Sequence, residues 1–588
     1  MLPDMSPLDW IVVVALNGVT IGIGIWISRG ARNSSDWFLA GRTLPWWAIG
    51  FSLYATAIDS SDLVADSGGV YTLGLSYFVT NWMGVILGWL LSAHVVTLVM
   101  YRQGMYTNAE YLEARFGPSA RIISALVQIQ YRTMVLGIIA NTLYLTLAIV
   151  CGWGQGAWLA VGLIALIATV YTMWGGLKSV VITDALQSLI MLAAGFVLFA
   201  LVWGQVGGWE GARSRLDQAE PGLAAQLLHT GHDQSSRIDV RDRSPEEIEA
   251  ELRLGGRHDA STQTITRTTP AWLVCLAFVI AGMAYSIVNH TQSMRLLGAR
   301  SVWDLKMAAV VSCTILLVVN FVNLSIGVFG RALFPDPSLM PLADLALQKP
   351  DAIYPLLVRD LVPIGLKGLV VAGVLAASFS TFDSIGSTLS ALVTRDLYAR
   401  LWKRDGADQH YLTVGRWLTP VIIFGSFAYL PFLQSGGMLL FYLDLVGAFV
   451  VPLLTVYLMG TLTGVHRRTG ALGLAFGVAY GILRLTSPMM VKHLGFTPLP
   501  VVMLDGFAAY PWSVVMTAVP MVLGSFAWGW QSASALQTQE GEGWLSKSRA
   551  QIGPAPDDPG GLLNGKLPLV LGLLLLGIGT GLSLIVFW

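Results

Sequence analysis

Charge is what this 588-residue chain has least of. Asp, Glu, Lys and Arg together make up 12% of it, about half the share of an ordinary soluble domain. Basic and acidic residues balance at 35 each, for a net charge of zero, which excludes the basic surface a nucleic-acid partner requires. There are only three cysteines, Cys151, Cys275 and Cys313. They lie in or beside apolar segments with no metal-ligand spacing and read as small apolar residues. No HExxH, GxSxG or Cys/His cluster occurs, so the commoner hydrolytic chemistries lack their residues and the chain does not read as an enzyme. The first apolar run, Trp10 to Ile27, lacks a basic leader and a small-residue cleavage site, and reads as a retained membrane helix.

Apolar length fills the space that charge leaves. Hydrophobic residues reach 54% and mean hydropathy is +0.64. A bilayer crossing takes roughly 20 apolar residues. The segments that qualify are 8–28, 45–68, 78–100, 119–150, 156–174, 179–204, 271–294, 305–333, 364–394, 412–433, 438–464, 470–487, 511–530 and 567–588. The expectation is therefore an all-α polytopic membrane protein of about 14 transmembrane helices. Alternate connections hold the basic residues, among them Arg29, Arg32 and Arg42, then Arg102, Arg115 and Arg121, then Arg295, Arg300 and Lys306. Placing that set in the cytoplasm puts both termini outside, in a plasma or inner membrane. Two polar stretches interrupt the pattern. The one at 205–270 falls outside and reads as a mobile or short-helical insert, and about 531–565 reads as a cytoplasmic linker.

Polar side chains inside apolar spans are costly and mark pathways or partners. The second span contains SLYATAIDSSDLVADSGG, with Asp59, Asp62 and Asp66 at helical spacings of three and four. A helix interrupted near 57–61 and lining a cavity tolerates this run, because freed carbonyls and half-helix ends can coordinate a cation. Asp66 has a plainer alternative as part of the helix end. In the ninth span Ser380, Asp383 and Ser384 share one helix face, with Ala377 a turn earlier. These are hard oxygen ligands, suited to an alkali or alkaline-earth cation, although membrane hydroxyls also bond back to their own helix. Asp184 lies near the start of the sixth span. Arg132 interrupts an otherwise apolar span and reads either as a carboxylate partner or as a snorkelling end residue. His290 titrates near neutrality if it is reachable.

Several long motifs, in order, resemble the sodium:solute symporter family. They are SSDWFLAGRTLPWW at 34–47, YTMWGGLKSVVITDALQ at 171–187, IYPLLVRDLVPIGLKGLVVAGVLAASFST at 353–381 and DSIGSTLSALVTRDLY at 383–398. The third is most similar to the sugar-transporting branch. The resemblance implies a LeuT-type 5+5 inverted repeat. Its units are a first helix and loop over 1–44, repeats over 45–204 and 271–465 flanking the 205–270 insert, and C-terminal helices over 466–588. It implies sodium as the co-transported ion, no organic cofactor, and a small organic solute (sugar, polyol, zwitterion or carboxylate) carried across the lipid bilayer.

Carried over by position, the family's principal sodium site falls on Ala55, Ile58, Ala377, Ser380 and Thr381. A further site found in some relatives falls on Asp184, Ser380, Asp383 and Ser384, where Asp383 departs from the small or hydroxyl residue usual there. Tyr285, before Asn289, takes the place of an aromatic inner gate. The sugar-contact positions fall on Ala57, Asp62, Asn81, Gly282 and Asp444, which do not preserve a galactose-type hydrogen-bond set. Arg132 lies near the position where the sialic acid relative uses an arginine for its substrate's carboxylate. Proton coupling through Asp62, Asp383 and His290, and a solute sensor that does not transport, are the competing expectations.

Overall fold

The computed structural model describes residues 5–28, 37, 39–240, 244–259, 263–342, 344, 347–403, 405–433, 438–531 and 562–588. The expected linker at 531–565 and the basic residues Arg29, Arg32, Arg404, Lys547 and Arg549 lie wholly or almost wholly outside them.

The chain starts with α1 (Pro7–Ser28), whose exposed Ile11, Val14, Val19 and Trp26 form an apolar outer face. The second span is not one helix. α2 (Trp46–Ala57) ends where Ile58 turns extended at φ −113°, ψ 102°, and α3 (Ser60–Leu73) begins directly after Asp59. The cause is local. The Asp59 carboxylate accepts the Ser61 amide at 2.7 Å, while the Asp62 carboxylate accepts the Asp59 amide at 2.7 Å. This reciprocal cap satisfies amides that a new helix start leaves open. The interruption falls where the carboxylate run predicts it.

α4 (Leu75–Leu91) continues through a π turn at Ser92–Val96 to Arg102. Next come the short α5 (Asn108–Phe116) and the long α6 (Pro118–Val150). The run α7 (Ala157–Val206) is kinked at Gly176, where φ is +63°. That conformation favours glycine, and a Cβ there would meet Trp37 at 2.8 Å. The kink separates the segments predicted at 156–174 and 179–204.

The insert is more ordered than expected. It holds α8 (Gly208–Ala219), α9 (Leu223–Leu227), β1 (Gln234–Asp239), α10 (Pro245–Arg253), β2 (Arg257–Asp259) and β3 (Thr264–Thr269). The strands pair antiparallel in the order β1-β3-β2, with Gln234 opposite Thr269 and Arg257 opposite Thr266. The β-branched run TITRTT favours a strand, so the all-α expectation is corrected by this small sheet.

The second half also opens on a broken helix, which the sequence-based span 271–294 treats as continuous. α11 (Ala271–Val288) stops at Asn289, extended at ψ 104°, and α12 (His290–Leu297) follows. Asn289 caps α12 through the Thr291 amide at 3.1 Å, and Asn108 donates to the freed Val288 carbonyl at 2.8 Å. α13 (Val302–Leu333), α14 (Ile353–Leu361), α15 (Leu366–Leu392) and α16 (Asp408–Gly425) follow. α17 (Met438–Leu445) then passes through a π turn into α18 (Val451–Leu462). The last helices are α19 (Thr469–Leu494), α20 (Ala509–Trp528) and α21 (Leu562–Gly581).

Among the described residues, 11 helices are long and apolar enough to cross a membrane. The other predicted spans, 45–68, 156–174 and 412–433, fall on the α2–α3 interruption, the first arm of kinked α7, and α16 with its 3-10 extension. α15 and α6 are the most enclosed of the long helices, whereas α1, α20 and α21 lie at the periphery. A helix buried all round can carry polar groups that lipid would reject.

Candidate functional site

The interruption of α2 lies against the middle of α15. Ser380 Oγ donates to the Ala55 carbonyl at 2.7 Å, and Thr381 Oγ1 donates to the Ala377 carbonyl at 3.1 Å. Ala55, Ala377, Ser380 and Thr381 are fully buried, and Ile58 is nearly so. The last carbonyls of α2 carry the negative end of its dipole, and the break removes the next turn that would have used them. Uncharged oxygens from two helices thus gather at one buried point. The structure brings the five residues of the expected principal sodium site into one neighbourhood.

A second oxygen cluster lies one turn along α15. Here the structure adds a residue that sequence reasoning treated as a loop charge. Arg295, on α12, is fully buried. Its guanidinium donates to Asp184 Oδ2 at 2.7 Å, to Ser52 Oγ at 2.6 Å and to the Thr291 carbonyl at 2.6 Å, and it also reaches Ser384 Oγ. Ser52 in turn donates to Asp184 Oδ2 at 2.6 Å. Ser384 Oγ also lies 3.1 Å from Asp383 Oδ1. Asp184, Asp383 and Ser384 come together as expected, but a guanidinium stands among them. Counting Arg295 with the cytoplasmic basic residues is therefore corrected. Its helical spacing from the Asn289 break was the only sequence signal, and the unbroken span concealed it.

Between these elements and α4, α6, α13 and α17 lies a cavity. Its walls include Thr56, Asp59, Ser61, Asp62 and Asp66 from the interruption, Asn81 from α4, Arg132 from α6, Tyr285 from α11, Asn320 from α13 and Tyr442 from α17. Five expected solute residues, Ala57, Asp62, Asn81, Arg132 and Tyr285, thus share one space. Tyr285 OH donates to the Thr56 carbonyl at 3.2 Å and accepts from Gln292 at 2.6 Å, which ties α11 to the last turn of α2. Arg132 is well inside α6 and 4% exposed, so the snorkelling alternative does not hold.

Three expected solute residues lie elsewhere. Gly282 faces α4, where a Cβ would stand 2.5 Å from the Asn81 carbonyl and 2.6 Å from the Val85 amide, so its role is close helix packing. Asn289 is buried in the α11–α12 break as a cap. Asp444 pairs with Arg484 at 2.7 Å. On α17 the cavity stripe is Met438, Leu439, Tyr442, Leu443 and, one turn on, Val446. Asp444, two residues after Tyr442, projects to the other side of the helix. Asn320 and Tyr442 were missed. Asn320 was visible as an amide in the apolar run LLVVNFVN, while Tyr442 had no distinguishing signal. His290 is buried with neither ring nitrogen hydrogen-bonded, away from the cavity wall.

A model of the sodium:solute symporter family matches residues 37–477. The sodium/glucose cotransporter of Vibrio parahaemolyticus is 27% identical over 494 residues, covering 81% of this chain and 84% of its own length. Sodium/glucose cotransporter 4 of Homo sapiens is 30% identical over 501 residues, covering 81% and 69%. Sodium/myo-inositol cotransporter 2 of Rattus norvegicus is 28% identical over 502 residues, covering 82% and 70%. Among solved structures, a substrate-bound, outward-open sodium-coupled sialic acid symporter superposes with a TM-score of 0.70 at 18% identity, over 90% of this chain and 99% of that one. A nucleobase-cation-symport-1 family transporter superposes at 0.51 and 12% identity, over 89% and 100%. At these identities the structural likeness establishes the fold alone.

Proposed function

The chain belongs to the sodium:solute symporter family, and on that premise we propose that it imports a small organic solute with one sodium ion per cycle, by alternating access. The observation that carries this reading is the Ser380-to-Ala55 bond, which joins α15 to the carbonyl end of broken α2. Sodium held by the Ala55 and Ile58 carbonyls with Ala377, Ser380 and Thr381 locks that junction and completes the cavity above Tyr285. Solute binding lets the helices that begin each half move against α6 and α15, and loss of sodium on the other side frees the solute.

The two interrupted helices, α2–α3 and α11–α12, open the segments 45–204 and 271–465, which supports the inverted-repeat reading. With about 14 crossings, both termini lie on the outer side of the plasma or inner membrane. Arg295 supports a single-ion stoichiometry, because its guanidinium places a positive charge in the second oxygen cluster. One ion suffices energetically: about 2.3 kcal/mol from a 100 mV potential and about 1.4 from a tenfold sodium gradient sustain a several-hundred-fold solute gradient.

The test is a sodium titration of the purified protein in proteoliposomes and by thermal shift. The reading expects sodium alone to stabilise the protein, with a Hill coefficient of about 1, and the Ser380→Ala, Thr381→Ala pair to weaken that response. Uptake that persists without sodium and follows a pH gradient would replace it with proton coupling.

A further inference from the structure

The break in α2 frees carbonyls at its end for other helices to use. In an unbroken helix the Asp59 amide would bond to the Ala55 carbonyl, and the Ser60 amide to that of Thr56. Here the Asp59 amide turns to the Asp62 carboxylate at 2.7 Å instead. The Ala55 carbonyl takes Ser380 of α15 at 2.7 Å, and the Thr56 carbonyl takes the phenol of Tyr285 on α11 at 3.2 Å. Two adjacent peptide carbonyls therefore join the expected sodium site to the expected inner gate.

The phenol has one proton, and a carbonyl only accepts. With that proton given to Thr56, the Tyr285 oxygen must be met by a donor. Gln292 supplies it, with Nε2 at 2.6 Å. Gln292 lies on α12, across the Asn289 break from Tyr285, and is fully buried. Its Oε1 hydrogen-bonds to nothing among the described residues. A buried amide with half its capacity unused is costly and calls for an explanation.

The rest of α12 shows what that bond serves. One turn on, Arg295 Nε donates to Ser52 Oγ at 2.6 Å. Ser52 is one turn before Thr56, whose Oγ1 donates to the Ser52 carbonyl at 2.8 Å. So α12 grips the last turn of α2 through Arg295, and through Gln292 it presses the tyrosine onto that same turn.

We propose that Gln292 is a positioning residue that makes the gate answer to the ion. It holds the Tyr285 hydroxyl on the Thr56 carbonyl while sodium fixes the neighbouring Ala55 carbonyl, so the cytoplasmic side of the cavity stays shut while the ion is bound. Without Gln292 the phenol oxygen is buried without a donor, and a fixed α2 end no longer holds the ring. The inference rests on the symport reading and adds a coupling side chain to it.

The test needs no knowledge of the solute. Ala281 stands one turn before Tyr285 on α11 and lines the same cavity. The full-length protein carrying Ala281→Cys, in inside-out membrane vesicles, meets a membrane-impermeant maleimide in sodium or in choline, with labelling counted above that of the protein without this cysteine. Sodium should slow labelling about tenfold or more when Gln292 is present. In Gln292→Met, which keeps the length of the side chain and removes the donor, it should slow labelling less than about threefold. The midpoint for thermal stabilisation by sodium should stay within about twofold. Tyr285→Phe should give the same loss, and Gln292→Met should add nothing to it. Gln292→Ala is the second variant should Gln292→Met not fold. A sodium effect of parental size in the Gln292 variants, or losses that add in the double variant, overturns the proposal and leaves sodium symport standing. A shift of the sodium midpoint as large as the labelling change makes Gln292 a support of the ion site and overturns it as well. Absence of any sodium effect on labelling and stability in the parent defeats the symport reading, and the proposal with it.

Discussion

Two buried oxygen clusters lie one turn apart on α15, and they differ in whether the chain itself supplies a positive charge. At Ala55, Ile58, Ala377, Ser380 and Thr381, hydroxyls and helix-end carbonyls converge without a carboxylate or a basic side chain among them. At Asp184, Asp383 and Ser384 the cation is covalently part of the chain, as the Arg295 guanidinium. Neutral oxygens are suited to an ion that must come and go, since its release leaves no buried charge uncompensated. A buried carboxylate needs a permanent partner. The first arrangement suits transport and the second suits structure, although the residue types along α15 are nearly the same.

The largest effect should come from removing the built-in cation. Arg295→Ala leaves Asp184 buried and alone, which costs about 3–5 kcal/mol. The Arg295→Ala, Asp184→Asn double variant should recover much of that loss in a denaturation measurement. If the single variant is as stable as the parent and binds a second sodium ion, the guanidinium is replaceable and the two clusters are alike.

Next is the contrast along α15. Ser380→Ala with Thr381→Ala should lower sodium affinity tenfold or more, whereas Ser384→Ala should leave it within about twofold. Equal losses in a sodium titration would merge the clusters into one site.

The smallest effect concerns a buried carboxylate in the connection before α14. Burial pushes Asp351 up to about 6, with Lys349 pulling the other way, while its carboxylate accepts the Met438 amide at 3.4 Å. A carboxyl whose folded pKa is raised contributes stability that is present below about 4. That contribution is lost as pH climbs through about 6. Asp351→Asn should flatten the stability profile between those values. An unchanged profile would show that a buried carboxylate can do without a cation even here.

Much of the fold was legible because lipid leaves few solutions. Apolar length located the helices, and the closely spaced Asp59, Asp62 and Asp66 foretold the break in α2–α3, since no continuous lipid-facing helix carries three carboxylates. The break at Asn289 was not legible. No charge marks it, and its stabilising partners, Asn108 and Gln128, come from α5 and α6. The insert's sheet was hidden by mixed charge, which masked the strand propensity of its threonines. At the site, Asp62 and Arg132 stood out as polar groups in apolar helices, whereas Asn81 and Tyr285 were named only through the family resemblance. Asp444 and Gly282 were misplaced, because a helical position specifies a face only once its neighbours are known.

The sequence by itself determined that this is a many-helix membrane protein with a hydroxyl-rich face on α15, because apolar length and intramembrane polar groups have few other uses. The motifs it shares with its family named the ion. Tertiary structure alone decided which charges meet. Arg295 and Asp184 are 111 positions apart, and no periodicity within one helix reports on pairing between two. The same holds for Arg132 of α6, which lines one cavity with Asp59, Asp62 and Asp66 of the α2–α3 interruption.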